Sequence, residues 1–296
     1  MLGFAVALTG CGQENAEPLP IERLAFVAPG SVNVAGQRLG MDEPLLVDRF
    51  EVTRGQWYDF ARSEDDGVEP PDPEAQSLPQ VDIDLNQARA FAAWNGMRLP
   101  TVGEWLWFAS GPRAMTYPFG TNPAQSAANT LELGLWRATP VGTFPGGRTP
   151  GTAIYDLLGN VAEWALAEGW QGRGWYPRLA LELTFQGLES WAMGGSFLTH
   201  ARPIYLFEPN YNYVALHAVE RDPAFRASDL GMRCVADARQ WLVAHAEDLS
   251  RRENRDRLIA VGQSWGPRAA ALLATLAEEH PKYPALAWLL EGARKP

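Results

Sequence analysis

The sequence predicts an α+β, loop-rich domain with an α-helical C-terminal extension. Three features carry that reading. From about residue 24 to residue 237 the chain is rich in Gly, Pro and Trp, and its periodic segments are short. Three helix signals nevertheless stand in the first half of this stretch. After Asp237 the texture changes to Ala, Leu, Glu and Arg at helical spacing.

Each element has a local cause. Thr53 can cap a helix over Arg54 to Arg62. A second helix is predicted from about Leu85 to Asn95, with Ala88, Phe91, Ala92 and Asn95 on one side and Gly96 as its stop. Thr101-Val102-Gly103-Glu104 is a capping box, so a third helix runs from Val102 to about Ser110. Residues Glu64 to Gln80 are acidic and Pro-rich, which predicts an exposed loop. Trp57, Trp94, Trp105 and Trp164 are large apolar surfaces, and core packing is expected of them. The rest offers short strands between turns, and no internal repeat. In the extension, residues 238–296, Leu272, Leu273 and Leu276 and then Leu286, Leu289 and Leu290 keep helical spacing. Gly266-Pro267 and His280-Pro281 break it into three or four helices. About sixty residues make a small core, so the extension should pack on the main domain or on another protein.

Composition excludes several functions. The 296 residues are 46% hydrophobic and 20% charged, which suits a globular chain with a full core. Twenty-five Lys and Arg against 35 Asp and Glu leave a net charge of −10, and phosphate neutralisation needs the opposite sign, so no nucleic-acid partner is expected. No apolar run is long enough to span a bilayer as a helix. Two cysteines allow neither a disulfide framework nor a Cys₄ zinc site.

Residues 1–10 are mostly apolar and lead through Leu8-Thr9-Gly10 to Cys11. They resemble the end of a bacterial lipoprotein signal peptide, in which the cysteine is lipidated. No Lys or Arg precedes the apolar run, a departure from the usual signal. The alternative is a buried N-terminal strand with an incidental cysteine. Residues 11–23 then read as a polar tether. Lipid on Cys11 would leave Cys234 as the one thiol, and no intramolecular disulfide. The expected location is the cell envelope, anchored by lipid alone. Gly12 after the cysteine is compatible with outer-membrane sorting, facing the periplasm or the surface.

Six segments from residue 24 to residue 237 occur together in one order. They are Ala28-Pro29-Gly30-Ser31, then Phe50-Glu51-Val52-Thr53 with Gln56-Trp57, then Arg98-Leu99-Pro100-Thr101 with Glu104-Trp105. Tyr155-Asp156-Leu157-Leu158-Gly159-Asn160-Val161 with Glu163-Trp164 follows, then Gly194-Gly195-Ser196-Phe197, and last Leu230-Gly231-Met232-Arg233-Cys234. Together they resemble the formylglycine-generating enzymes, or sulfatase-modifying factors. The resemblance implies a loop-rich C-type-lectin-like fold of mixed α and β, with the helical extension outside it.

It also implies a calcium site. The matching ligands are the Asp156 and Glu163 side chains with the Gly159 and Val161 carbonyls, an all-oxygen set that suits a hard cation. The alternative is that Asp156 stabilises the turn at Gly159-Asn160 and Glu163 pairs with an arginine. Asn129 matches one residue of a second family calcium site, whose downstream Asp has no counterpart here.

The family's copper(I) site departs further. Its members oxidise a sulfatase cysteine with copper held by two thiolates, the first three residues after the Gly-Gly-Ser motif and the second five further on. Those positions are Thr199 and Ile204, and neither supplies a soft ligand, so neither copper nor formylglycine oxidation is expected and no catalytic residue is assigned. The four histidines, His200, His217, His245 and His280, have no helical metal-binding spacing.

What remains is a surface. In the family this segment lines the substrate groove, and here it offers Thr199, His200, Tyr205, Asn210, Tyr211, Asn212, Tyr213 and His217. Tyr and Asn give flat contacts with adaptable hydrogen bonds, suited to a protein partner in the envelope or to a glycan. The alternative is that half of these aromatics are core. The sequence therefore reads as a lipid-anchored envelope pseudoenzyme that binds or scaffolds. The competing reading is an envelope oxidoreductase or tailoring enzyme with an altered site around His200, His217 and Glu208.

Overall fold

Three capping boxes start the three N-terminal helices. Thr53 with Gln56, Asp84 with Gln87 and Thr101 with Glu104 each exchange side-chain and backbone hydrogen bonds. The helices are α1 (Arg54–Glu64), α2 (Leu85–Trp94) and α3 (Val102–Ser110). The computed structural model describes residues 21–34, 37–113, 115, 117–120, 127–167, 189–201 and 218–295. Among these the strands are β1 (Leu24–Val27), β2 (Gly30–Val34), β3 (Gln37–Met41), β4 (Leu45–Asp48), β5 (Ala162–Leu166), β6 (Ser190–Met193), β7 (Ala218–Glu220), β8 (Leu230–Gly231) and β9 (Val235–Asp237). The extension holds α4 (Ala238–Arg252), α5 (Arg255–Trp265), α6 (Pro267–Glu279) and α7 (Pro284–Ala293). Gly266-Pro267 and His280 stand at its predicted breaks.

The sheets are small, with orders β1-β4-β9, β2-β3 and β7-β6-β5-β8. β8 runs parallel to β5, placing Gly231 beside Glu163, so the closing motif Leu230–Cys234 lies against the Asp156–Glu163 motif.

The sheet β1-β4-β9 is buried on both faces because its side chains alternate between two cores. Ala25, Val27, Leu45, Val47 and Val235 pack with Trp105 and Leu106 of α3. Leu24, Phe26, Leu46 and Ala236 pack with Trp241, Leu258, Trp265, Leu273 and Leu289 of the extension. The extension therefore covers the domain's own sheet. Trp265 Nε1 donates to the Leu24 carbonyl at 2.8 Å, and Arg49 reaches both Ser264 Oγ at 2.9 Å and the Thr152 carbonyl at 2.6 Å. Helices α5 and α7 pack backbone to backbone. A Cβ at Gly262 would meet the Leu289 carbonyl at 2.0 Å, and one at Gly292 would meet the Ile259 carbonyl at 2.0 Å.

The tryptophans divide. Trp105 and Trp164 are fully buried and Trp57 is half-buried, but Trp94 is 44% exposed. The core expectation fails at Trp94 because it closes the last turn of α2, beyond the buried stripe Leu85, Ala88, Phe91 and Ala92.

Candidate functional site

The Asp156–Glu163 segment is a tight turn folded onto an arginine. Asp156, Gly159 and Asn160 all have left-handed backbone, with φ of 58°, 78° and 56°. Gly159 also sits against the Asn129 carbonyl, where a Cβ would lie 2.2 Å away. Asp156 Oδ2 accepts the Gly142 N–H at 2.6 Å. Glu163, buried on β5, accepts Arg233 Nη2 at 2.7 Å, Arg233 Nε at about 3.1 Å and Trp105 Nε1 at 2.8 Å. Arg233 also donates to the Asp48 and Tyr155 carbonyls, so one guanidinium ties the segment between β8 and β9 to three other segments. Of the two readings left open for Glu163, the arginine pair is present.

Glu51 is a hub to which sequence reasoning gave no role. Its Oε1 accepts the Val161 N–H at 3.0 Å and its Oε2 accepts Asn160 Nδ2 at 2.6 Å. Asn160 Oδ1 in turn accepts from the Thr139 N–H and from Asn129 Nδ2. Four buried carboxylates, Asp48, Glu51, Asp156 and Glu163, thus interact with one buried guanidinium, that of Arg233. Burial pushes the Asp156 carboxyl up to about 6, and Glu163 adds to the rise. Burial and the charges of Asp156 and Glu163 hold Glu51 well above the usual carboxylate range. Among the described residues no group of three or more His, Cys, Asp or Glu side chains is placed to hold a metal ion, so a hard cation here would depend on backbone carbonyls beside Asp156. Glu163 would share its carboxylate with Arg233 and Trp105.

The Gly194–Thr199 turn is bonded to the same segment. The Gly159 N–H donates to the Gly194 carbonyl at 3.2 Å and the Phe197 N–H to the Asn160 carbonyl at 2.9 Å. Ser196 Oγ donates to Asp229 Oδ2 at 2.6 Å and accepts the Leu198 N–H at 3.1 Å. Thr199 Oγ1 accepts the Ser196 N–H at 3.0 Å, while the Thr199 carbonyl accepts the Leu131 N–H. The hydroxyl at the position of the first copper cysteine is thus part of a closed local turn. Beside it, His200 Nδ1 lies 3.1 Å from Glu132 Oε1, and the Ala201 N–H donates to Glu132 Oε2 at 2.8 Å. Burial would raise the Glu132 carboxyl, but donors from Ala201, its own N–H, Thr130 and His200 outweigh it and hold it at about 2.

Thr199 and His200 are thus neighbours on one turn. Cys11, Ile204, Tyr205, Glu208, Asn210, Tyr211, Asn212, Tyr213 and His217 lie outside the described residues. Glu104 has the capping role its spacing predicts, accepting the Thr101 N–H at 2.8 Å, and it also pairs with Arg98 at 2.6 Å. Glu51, Glu132 and Asp229 were missed as site residues. Glu51 alone carried a signal, its place in the Phe50–Thr53 segment.

Comparison with known proteins agrees with this architecture. A family model described as "Sulfatase-modifying factor enzyme 1-like domain" matches residues 15–238. The formylglycine-generating enzyme of Mus musculus is 28% identical over 179 residues, covering 54% of this chain and 44% of that one. The inactive C-alpha-formylglycine-generating enzyme 2 of Bos taurus is 35% identical over 106 residues, covering 32% of this chain and 35% of that one. This chain therefore spans less than half the length of either relative. Among solved structures, Treponema denticola variable protein 1 superposes with a TM-score of 0.51 at 19% identity, over 72% of this chain and 94% of that one. The fold and the family model agree, and the chain belongs to the sulfatase-modifying factor family.

Proposed function

We propose that this chain is a non-catalytic member of its family, a binding or scaffolding module held at the cell envelope by lipid on Cys11. The observation that carries the reading is Thr199. Its hydroxyl stands where the family's first copper thiolate belongs, and it accepts the Ser196 N–H within a closed turn. Ile204, five residues on, supplies no metal ligand. The likeness to a bovine relative named inactive is in keeping with this. The binding face is the 199–217 segment, His200 held by Glu132 at one edge, and its occupant is a protein of the envelope or a glycan.

Calcium belongs to the proposal as a structural ion. Asp156 and Glu163 with the Gly159 and Val161 carbonyls would hold it, and its charge would offset the excess carboxylates around Arg233.

Copper(I) titration under reducing conditions tests the non-catalytic reading, with no stoichiometric tight binding expected. Tight binding of one equivalent would move the account to the altered-site enzyme around His200, His217 and Glu208. For the anchor, Cys11→Ser should move the protein from the membrane fraction to the soluble envelope fraction. An unchanged distribution contradicts the anchor.

A further inference from the structure

Trp94 stands out of the fold at the end of α2, 44% exposed, although its large apolar ring predicts core. It is the outer ring of a continuous aromatic ledge. Its centroid lies 5.7 Å from that of Phe60 and 6.1 Å from that of Phe91. Trp57 continues the ledge, 5.2 Å from Phe60 and stacked on Phe91 at 5.6 Å. Phe60 belongs to α1, and Glu64 lies one helical turn beyond it on the same face. From Glu64 the chain enters a strongly acidic loop. Glu64, Asp65, Asp66, Glu69, Asp72 and Glu74 are all exposed, and none forms an ion pair with a described residue. The loop is nonetheless ordered by hydrogen bonds, the Arg54 N–H to Leu78 and the Gly55 N–H to Gln76 among them. A cation already rests on a ring of α1: the Arg62 guanidinium lies 5.5 Å from the Tyr58 centroid.

We infer that this ledge and loop form a docking surface for a basic, amphipathic peptide segment of another protein. An apolar side chain would lie on Trp94 and Phe60, where exposed aromatic surface recovers the most from burial. Lys or Arg beside it would meet the loop carboxylates, which form no ion pair with a described residue and repel one another. A second copy of this chain is the wrong occupant, because it would bring the same acidic loop and a net charge of −10. An anionic bilayer is wrong for the same reason. The surface uses no residue of the 199–217 segment and stands without it.

The experiment uses the full chain and a synthetic peptide of alternating Lys and Leu, with a Glu/Leu peptide as control, read by calorimetry at low and at high salt. The Lys/Leu peptide should bind and the Glu/Leu peptide should not. Trp94→Ala should weaken binding about tenfold, as for an exposed aromatic anchor. Glu64→Lys with Asp66→Lys, a change confined to exposed positions, should also weaken it and flatten its salt dependence. His200→Ala should leave it unchanged. No binding, or binding that neither set of changes affects, overturns the proposal. Binding lost in His200→Ala but kept in Trp94→Ala moves the peptide to the other face and also overturns it. So does a dimer of the free protein that Trp94→Ala dissociates.

Discussion

Arg233 grips Glu163 through both Nε and Nη2, and neither side chain reaches solvent. The pair joins the segment between β8 and β9 to β5 and closes the turn that carries Asp156, Gly159 and Asn160. A pair this deep gains little over an apolar equivalent, yet breaking it leaves a bare buried charge. Arg233→Met should therefore destabilise the domain by about 3–5 kcal/mol in urea unfolding. Adding Glu163→Gln should recover part of that loss, because Gln can still accept from Trp105. A double variant no more stable than the single one contradicts the account of the pair.

Calcium should stabilise the same region. Adding it to protein stripped with a chelator should raise Tm, by the equivalent of about 2.7 kcal/mol at one hundred times Kd. Asp156→Asn should remove the rise. If magnesium and calcium act alike in both proteins, the effect is not at this site.

Glu132 gives a pH signature. Its folded value of about 2 lies below its ordinary 4.5. The folded state therefore binds fewer protons than the unfolded chain between these values. The stability this supplies is complete above the unfolded value and is lost as pH falls toward 2. Glu132→Gln should lower Tm near neutrality, and the gap to the parent should close as pH falls from about 5 to about 2. A gap that stays constant over that range would remove the ionised Glu132 from the turn's stability.

The extension should be inseparable from the domain. Trp265→Ala empties a buried site against β1 and should cost about 3–5 kcal/mol. A chain ending at Asp237 would uncover Leu24, Phe26, Leu46 and Ala236. It should be insoluble or open, as judged by light scattering and near-UV circular dichroism. A soluble, cooperatively unfolding product would contradict the shared core.

The helices were legible because their causes are local. Thr101 and Glu104 are three residues apart, and their capping box is complete in the structure. The Gly266-Pro267 break works the same way, since Gly266 ends α5 and Pro267 begins α6. The site was legible as motifs and not as contacts. Arg233 and Glu163 are 70 positions apart, and Glu51 and Asn160 are 109 apart. No spacing rule links such positions; the parallel pairing of β5 with β8 sets Gly231, two residues before Arg233, beside Glu163. Sheet β1-β4-β9 was hidden for a related reason. Its strands are three or four residues long and buried on both faces, so they lack the polar alternation that marks a strand. Trp94 misled because composition gives the amount of aromatic surface and says nothing of which ring ends a helix.

In the proposed reading this member of the family does not oxidise cysteine. The direct test incubates the purified chain with a sulfatase-derived cysteine peptide, copper(I), a thiol reductant and air, and follows peptide mass. The account predicts recovery of unmodified peptide at every time point, with or without copper. Formylglycine formed over repeated turnovers, dependent on copper and abolished by a change at Thr199, would contradict it.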